Sequence, residues 1–110
     1  MPVSFDPDRD IAIDRARKQF RWSGGGWKVN AELPAAAGFA VASQFVTRND
    51  VADAILCSDD IDAVVRGAET RVKAGFTHLA LCQIGGDSQP AFAHWAANEL
   101  LPALRELSLP

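Results

Sequence analysis

The residues best suited to chemistry lie in one short segment, residues 83–89, which reads QIGGDSQ. The segment follows a predicted buried strand and precedes a predicted helix, which is where α/β folds place their ligands. Two glycines allow a ligand close to the backbone, and the first N–H groups of a helix attract an anion. The same pattern suits a plain turn with Asp87 or Ser88 as the helix N-cap, and the carboxylate of Asp87 disfavours a phosphate. The residue types favour the turn. If the segment does bind a ligand, the candidate contacts are Gln83, Gly85, Gly86 and Asp87.

A second candidate site surrounds a glycine tract. Residues 22–30 read WSGGGWKVN, so two tryptophans flank three glycines. Trp27, Lys28 and Asn30 carry side chains that could wall a substrate pocket. Packing of both indoles against the rest of the fold explains the pattern equally well. The tract follows a predicted helix instead of a strand, so it is not expected to be a nucleotide-binding loop.

Other chemical signatures are missing from the sequence. There is no Ser-His-Asp order, paired-carboxylate signature, phosphate-binding Walker loop or dinucleotide fingerprint, and His78 and His94 stand alone. The two cysteines, Cys57 and Cys82, show no ligand spacing with the histidines, so we expect free thiols and no metal site. The residues by themselves therefore show no catalytic machinery.

Composition limits the class of protein. The chain has 110 residues, 48% hydrophobic and 23% charged, which predicts a single globular domain. Its formal charge of -3 argues against a nucleic-acid partner, because basic residues on the first predicted helix are interspersed with aspartates. No apolar run approaches the ~20 residues that span a bilayer, and no signal peptide is evident. We therefore expect a cytoplasmic protein with a small-molecule substrate and no membrane partner.

The first half is predicted to begin with a strand at residues 1–5 and a helix after it. Asp6 is expected to cap that helix, with Pro7 at the first position, where no backbone N–H is needed. Helical spacing of the apolar residues carries the helix to about Trp22, and the glycine tract ends it. Residues 27–34 are typical of an irregular connector, 35–45 of a weak alanine-rich helix, and 49–56 of a short helical segment.

The second half carries clearer patterns. Ser58 is expected to cap a helix that Gly75 ends in the left-handed conformation. Residues 77–83 (THLALCQ) predict a buried parallel strand. Pro102 lies inside the last helix and is expected to kink it or leave a carbonyl unpaired. The apolar faces are predicted as Ile61, Val64, Val65, Ala68 and Val72 on the first of these helices, and Phe92, Trp95, Ala96, Leu100, Leu104 and Leu107 on the last.

The predicted order is therefore strand, helix, helical insert, helix, strand, helix. Helices that alternate with buried strands are typical of βα units joined by right-handed crossovers. The expected fold class is α/β, with about two βα units and a helical insert in one unit over residues 1–110.

Three segments of the chain resemble one enzyme family. They are VSFDPDRD at residues 3–10, QFRWSGGGWKVNAELP at residues 19–34 and AGFTHLALCQIGGDSQ at residues 74–89. Residues 43–46 (SQFV) and 99–105 (ELLPALR) extend the match, so that it covers essentially the whole chain. The segments resemble the C-terminal end of the F420-dependent oxidoreductases of the luciferase-like family.

This resemblance implies that the chain is the C-terminal part of a TIM (β/α)8 barrel of roughly 300 residues. Such enzymes transfer a hydride between the deazaflavin F420 and an organic substrate, and close relatives use FMN. The protein orients the reactants while the cofactor supplies the reactive carbon. Gly85 and Gly86 would then lie near the cofactor or substrate end of the barrel, and Trp27 would shape the pocket.

The departures from the family matter as well. Most family contacts to the cofactor come from earlier parts of the barrel, so this chain is expected to be inactive alone and to bind F420 or FMN weakly or not at all. Residues 51–56 (VADAIL) lack the basic side chains of members that oxidise glucose 6-phosphate, and Met1 falls where relatives are already inside a strand. We expect pairing with a missing N-terminal part of the barrel, or homo-oligomers. The alternatives are a non-catalytic dimerising α/β remnant and a weak F420- or FMN-binding module.

Overall fold

A parallel sheet of three short strands lies at the centre of the structure, a computed structural model that describes residues 1–107. The strands are β1 (Pro2–Ser4), β2 (Leu56–Cys57) and β3 (Cys82–Gln83). β1 lies between the other two, and Val3 pairs with Leu56 on one side and with Gln83 on the other. The predicted α/β class and the predicted first strand are confirmed.

Helices make up most of the remaining chain. They are α1 (Arg9–Phe20), α2 (Trp27–Ala31), α3 (Ala36–Ala42), α4 (Arg48–Ala54), α5 (Ile61–Lys73), α6 (Gln89–Trp95) and α7 (Leu101–Arg105). Two 3-10 turns, Arg21–Gly25 and Gly86–Ser88, follow α1 and precede α6, and a π turn, Ala96–Leu100, joins α6 to α7.

The helices cover both faces of the sheet because side chains alternate along each strand. One core lies between β1, α5 and the C-terminal helices and contains Val3, Phe5, Val64, Trp95, Ala96 and Leu100. The other lies against α1 and α4 and contains Ala12, Ile13, Ala16, Val46, Val51, Ile55, Cys57 and Ile84. Ser4 faces this second core, and its buried hydroxyl donates to the Ala12 carbonyl oxygen at 2.7 Å. The result is a sheet between two helical layers.

The first helix begins later than the sequence predicted. Asp8, not Asp6, is the N-cap, and its carboxylate accepts hydrogen bonds from the backbone N–H groups of Asp10 and Ile11. Asp6 is engaged elsewhere, because its carboxylate accepts from the Asp8 N–H and forms an ion pair with Arg15. The helical path continues past Phe20 as the 3-10 turn that contains the first glycines.

The helical insert between α1 and β2 is more regular than predicted. Residues 27–34 were expected to be irregular, but α2 occupies the first five of them. The two further helical segments are confirmed as α3 and α4, and Thr47 caps α4 in a reciprocal capping box with Asp50. Arg48 of α4 forms ion pairs with Asp10 and Asp14, which joins α4 to α1.

The strand β2 was missed in the sequence. Residues 49–56 were predicted to be helical, but α4 ends at Ala54 and the chain turns extended at Ile55. Two residues are too few to show an alternating pattern, and β2 exists because β1 offers it a partner. The structure therefore has three βα units instead of two.

Helix α5 confirms the predicted face and the predicted end but not the predicted cap. Asp60 is the N-cap, because its carboxylate accepts from the N–H groups of Asp62 and Ala63, while the Ser58 hydroxyl accepts from the Asp60 N–H. Gly75 has a φ of +96°. Its N–H donates to the Val72 carbonyl, and the next N–H donates to the Arg71 carbonyl. This pair of hydrogen bonds is a Schellman cap.

The last strand is shorter and more exposed than predicted. Residues 77–83 were expected to form a buried strand, but only Cys82–Gln83 pair with β1. Thr77, His78 and Cys82 are exposed. A physical reason is that β3 is an edge strand in the part of the chain that the structure describes, so nothing covers its outer side.

The C-terminal helix accommodates Pro102 next to the π turn. The N–H of Leu101 donates to the carbonyl of Ala96, five residues back, directly before Pro102. This wider turn is an established way to tolerate a residue that cannot donate to the helical ladder. None of the helices within residues 1–107 combines the length and apolar character needed to cross a membrane.

Candidate functional site

The carboxyl ends of β1 and β3 lie side by side, and the helices that follow them diverge. After β1 the chain enters α1, which packs on one face of the sheet, whereas after β3 it enters α6, which packs on the other face. Neighbouring parallel strands whose helices depart to opposite faces leave a crevice between their carboxyl ends. Topology therefore predicts a crevice here, with Phe5 and Asp6 after β1 on one side and Ile84 and Gly85 after β3 on the other.

Gln83 ties the two sides of the crevice together. Its side-chain oxygen Oε1 accepts a hydrogen bond from the Phe5 N–H at 3.0 Å, and its Nε2 donates to the Ser88 hydroxyl at 2.7 Å. The residue is only 9% exposed. The structure thus places this predicted ligand contact inward, as a bridge between β1 and the loop after β3.

Gly85 is the position of greatest constraint in the loop. Its φ is +101°, a conformation that side chains other than glycine rarely adopt. A Cβ added there would lie 2.5 Å from Cδ of Arg15. Its carbonyl accepts from the Ser88 hydroxyl at 2.9 Å and from Nε2 of Gln89 at 3.2 Å. The predicted tight turn is therefore present, and it requires glycine.

The next two residues face outward. A Cβ added at Gly86 would meet nothing within 4 Å, and Asp87 is exposed in the short turn Gly86–Ser88. Ser88, not Asp87, occupies the N-cap position of α6, but its hydroxyl donates to the carbonyls of Ile84 and Gly85 and caps no helical N–H. Gly86 is accordingly the point at which another molecule has room to approach the backbone.

Arg15 and Asp6 complete the crevice, and the sequence did not single them out. Arg15 Nη2 lies 2.7 Å from Asp6 Oδ2, and Nη1 donates to the Phe5 carbonyl at 2.8 Å. Both side chains are about four-fifths buried, at 19% and 20% exposure. Burial opposes ionisation of Asp6, but hydrogen bonds from the Asp8 N–H and from Arg15, together with the charge of Arg15, lower its pKa below 3.8.

Residue spacing could not have distinguished Arg15 from the other basic residues of α1. Arg15 lies three positions after the buried Ala12, but Arg17 lies four positions after the buried Ile13 and is nevertheless exposed. The partner of Arg15, Asp6, could not be read from spacing either, because the pair spans the turn between a strand and a helix.

The second predicted group is not gathered into a pocket. Trp27 is 78% exposed and Lys28 is exposed, while Asn30 is half-buried and donates from Nδ2 to the Trp22 carbonyl at 3.1 Å. Within residues 1–107 no hydrogen bond joins this group to the loop after β3. The prediction that Trp27 shapes a pocket finds no contact here.

The cavity near the glycine tract involves the other tryptophan. It has a volume of about 730 Å³ and lies between the end of α1 and α3. Trp22 and Phe39 meet edge to face on its wall, with ring centroids 6.1 Å apart. The lining consists of Lys18, Gln19, Arg21, Trp22, Leu33, Pro34, Ala35, Ala36, Phe39, Ala40 and Ser43. Of the two tryptophans that flank the glycine tract, Trp22 lines this cavity and Trp27 does not.

Groups able to transfer protons or bind metals are dispersed. Residues 1–107 hold no cluster of three or more His, Cys, Asp or Glu side chains placed to bind a metal ion. Burial raises the pKa of the Cys57 thiol, with Arg9 opposing it in part, so this thiol resists ionisation. Cys82 is a free, exposed thiol on β3. Chemically, the crevice suits holding a ligand against the backbone at Gly86 better than activating a nucleophile.

Comparisons with known proteins add no relative. No protein-family model matches the chain, and no curated protein matches it. The luciferase-like resemblance thus rests on the sequence segments quoted above and stays a prediction.

Proposed function

We propose that this chain is the C-terminal part of an F420-dependent oxidoreductase of the luciferase-like type, competent only when joined to the rest of a (β/α)8 barrel. The observation that carries the proposal is the loop after β3. There, a glycine with a φ of +101° turns the backbone at the carboxyl ends of two parallel strands and leaves open space beside Gly86. Barrel enzymes bind their substrates at this end of their strands.

The local chemistry fits an uncharged ring better than a phosphate. A Cβ at Gly86 would enter empty space, so a flat group could rest against the backbone there. Asp87, next in the chain, brings a carboxylate that disfavours a phosphate. The deazaflavin would supply the ring carbon that exchanges the hydride, and FMN, in the alternative, would supply the corresponding ring nitrogen. Gln83 and the Arg15–Asp6 pair would position the loop and leave proton transfer to other parts of the barrel.

Unpaired edges and exposed apolar side chains support the need for a partner. In the described chain β2 and β3 each pair on one side only. Phe45 is 87% exposed and Phe76 is 60% exposed. Open strand edges and exposed aromatic side chains favour association. The missing barrel strands are the proposed partner, and a second copy of this chain is the substitute when they are absent.

A specific observation favours the non-catalytic alternative. The Phe5 N–H donates to the side chain of Gln83, and Arg15 bonds to the Phe5 carbonyl and to Asp6. These contacts hold the crevice together without a ligand. An α/β module that dimerises through its strand edges would have the same loop and no cofactor.

The test is a fluorescence titration with F420, with FMN in parallel, on the chain alone and on the chain co-purified with the protein encoded beside it. We expect dissociation constants above about a millimolar for the chain alone and in the micromolar range for the assembly. Gly86→Val should weaken the assembly's binding at least tenfold, while the control Ala74→Val, at an exposed position with helical backbone beyond α5, should not. Light scattering that finds a monodisperse folded monomer, with no binding by either sample, would overturn the proposal.

A further inference from the structure

We propose that the cavity between α1 and α3 binds a small amphiphilic anion, a molecule with an aliphatic or aromatic body and one carboxylate or phosphate. This site lies in the helical insert and is independent of the crevice at Gly85. Its volume of about 730 Å³ falls within the range of about 300–1,000 Å³ that is typical of small-molecule pockets.

The apolar wall of the cavity is built from aromatic rings in fixed contact. Trp22 packs on Phe20 with centroids 4.6 Å apart and meets Phe39 edge to face at 6.1 Å. Even so, Trp22 remains 39% exposed, so one side of its indole faces the cavity without a protein partner. An apolar body placed there would remove aromatic surface from water, which is the main source of affinity in such pockets.

Close packing holds the opposite wall in place. A Cβ added at Gly38 would lie 3.3 Å from Cδ2 of Leu33, so the glycine lets Leu33 lie against α3. Leu33 and Pro34 both line the cavity. The wall is therefore preformed, and binding does not require the segment between α2 and α3 to reorganise.

The charge of the cavity is opposite to that of the chain. Lys18 and Arg21 line it, and no Asp or Glu does, although the chain as a whole carries a formal charge of -3. Neither cation forms an ion pair within residues 1–107. Two unpaired cations beside an apolar wall select an anion with an apolar body over a cation or a neutral molecule.

Arg21 is the better oriented of the two cations. Its Nε donates to the Ser43 hydroxyl at 3.2 Å, and Ser43 is only 3% exposed and lies at the end of α3. The hydrogen bonds among residues 1–107 leave the two terminal nitrogens, Nη1 and Nη2, unused. A planar guanidinium fixed through one nitrogen and open at the others matches the paired oxygens of a carboxylate or phosphate.

The experiment compares ligands that each contain a ten-carbon chain. Decanoate and decyl phosphate carry an anion, decanol is neutral and decylammonium is cationic, and calorimetry reports binding to the intact chain. We expect both anions to bind at least tenfold more tightly than decanol, and decylammonium not to bind. Equal affinity for all four tails would overturn the proposal. The ratio between decanoate and decyl phosphate distinguishes a carboxylate source from a phosphate source.

Variants locate the site. Lys18→Gln and Arg21→Gln should each weaken decanoate binding about tenfold, the size of one charge-assisted hydrogen bond. Lys28→Gln is the matched control, because Lys28 is exposed and does not line the cavity. Ala40→Leu should fill the cavity and abolish binding while circular dichroism stays unchanged. If all four variants bind alike, or if Ala40→Leu only dissociates a dimer of the chain, the cavity is not a small-molecule site.

Discussion

Replacing Gly85 by alanine tests the geometry of the loop directly. The new methyl group would lie 2.5 Å from Cδ of Arg15 and 3.1 Å from both Arg15 Nε and Ser88 Oγ. Because these contacts are too short, Arg15 must shift away from Asp6 and from the Phe5 carbonyl. The backbone itself is strained, because alanine is unfavourable at a φ of +101°.

The two effects set the size of the loss. A non-glycine residue in such a backbone conformation costs about 1–3 kcal/mol. Loss of a largely buried charge-assisted hydrogen bond costs about 1–3 kcal/mol more, which gives about 2–6 kcal/mol of unfolding free energy in total. Chains of this size have only about 5–15 kcal/mol of stability, so the change is easily measured.

Urea unfolding followed by circular dichroism is the assay, and Gly86→Ala is the matched control. Gly86 has open space around its Cβ position and no positive φ, so alanine there should be neutral or stabilise by up to about 1 kcal/mol. In an Arg15→Ala background the clash with Arg15 is removed, and Gly85→Ala should cost mainly the backbone strain of about 1–3 kcal/mol, with only the 3.1 Å contact to Ser88 Oγ remaining. Equal losses for Gly85→Ala and Gly86→Ala would refute the loop conformation.

Three further predictions concern charge, caps and thiols. The pKa of Asp6 is lowered on folding, so its ion pair stabilises the fold above pH 3.8. That stabilisation is lost as pH falls through the lower pKa of the folded state, so the unfolding free energy of Asp6→Asn should depend less steeply on pH in that range. Asp60→Ala should cost about 1 kcal/mol in urea unfolding because it removes the true cap of α5, and Ser58→Ala less. The thiol of Cys82 should react with a disulfide reagent in the native protein, whereas Cys57, buried and with a raised pKa, should react only on unfolding.

Each of these has a contrary outcome. If the unfolding free energies of wild type and Asp6→Asn change with pH in the same way, the ion pair of Asp6 does not contribute to stability. A larger loss for Ser58→Ala than for Asp60→Ala would move the helix start back to the predicted residue. Two thiols reacting at one rate in the native protein would contradict the burial of Cys57.

Elements with a long apolar pattern could be predicted from the sequence, and elements defined by partners could not. The buried face of α5 and its glycine cap followed from spacing and residue type alone, because both are local properties. β2 is two residues long and exists only through its pairing with β1, so no pattern marks it. The predicted starts of α1 and α5 were each two residues too early. Each start offers two polar residues that could cap the helix, and tertiary contacts decide between them.

The candidate site likewise has parts that could be predicted from the sequence and parts that could not. The need for a glycine turn after β3 was readable from the residue types, and Gly85 satisfies it. Gln83 was predicted to contact a ligand, but its inward orientation depends on the Phe5 N–H, which lies far away in the sequence. Trp22 and Trp27 looked alike in the sequence, and only the packing of Phe20 and Phe39 selects Trp22 as a wall of the cavity.

The central place of β1 has a consequence for how the protein is made. β1 leaves the ribosome before α1, yet its two neighbours are encoded around Leu56 and Gln83. The terminal amine of Met1 even donates to the carbonyl of Ala80 at 2.7 Å, across 79 positions of sequence. β1 therefore gains one neighbour only after the residues around Leu56 are made, and the second only after Gln83, and pairing over such distances is slow. Until both neighbours are in place, the open edges of β1 can pair with another chain, which favours aggregation of the incomplete fold.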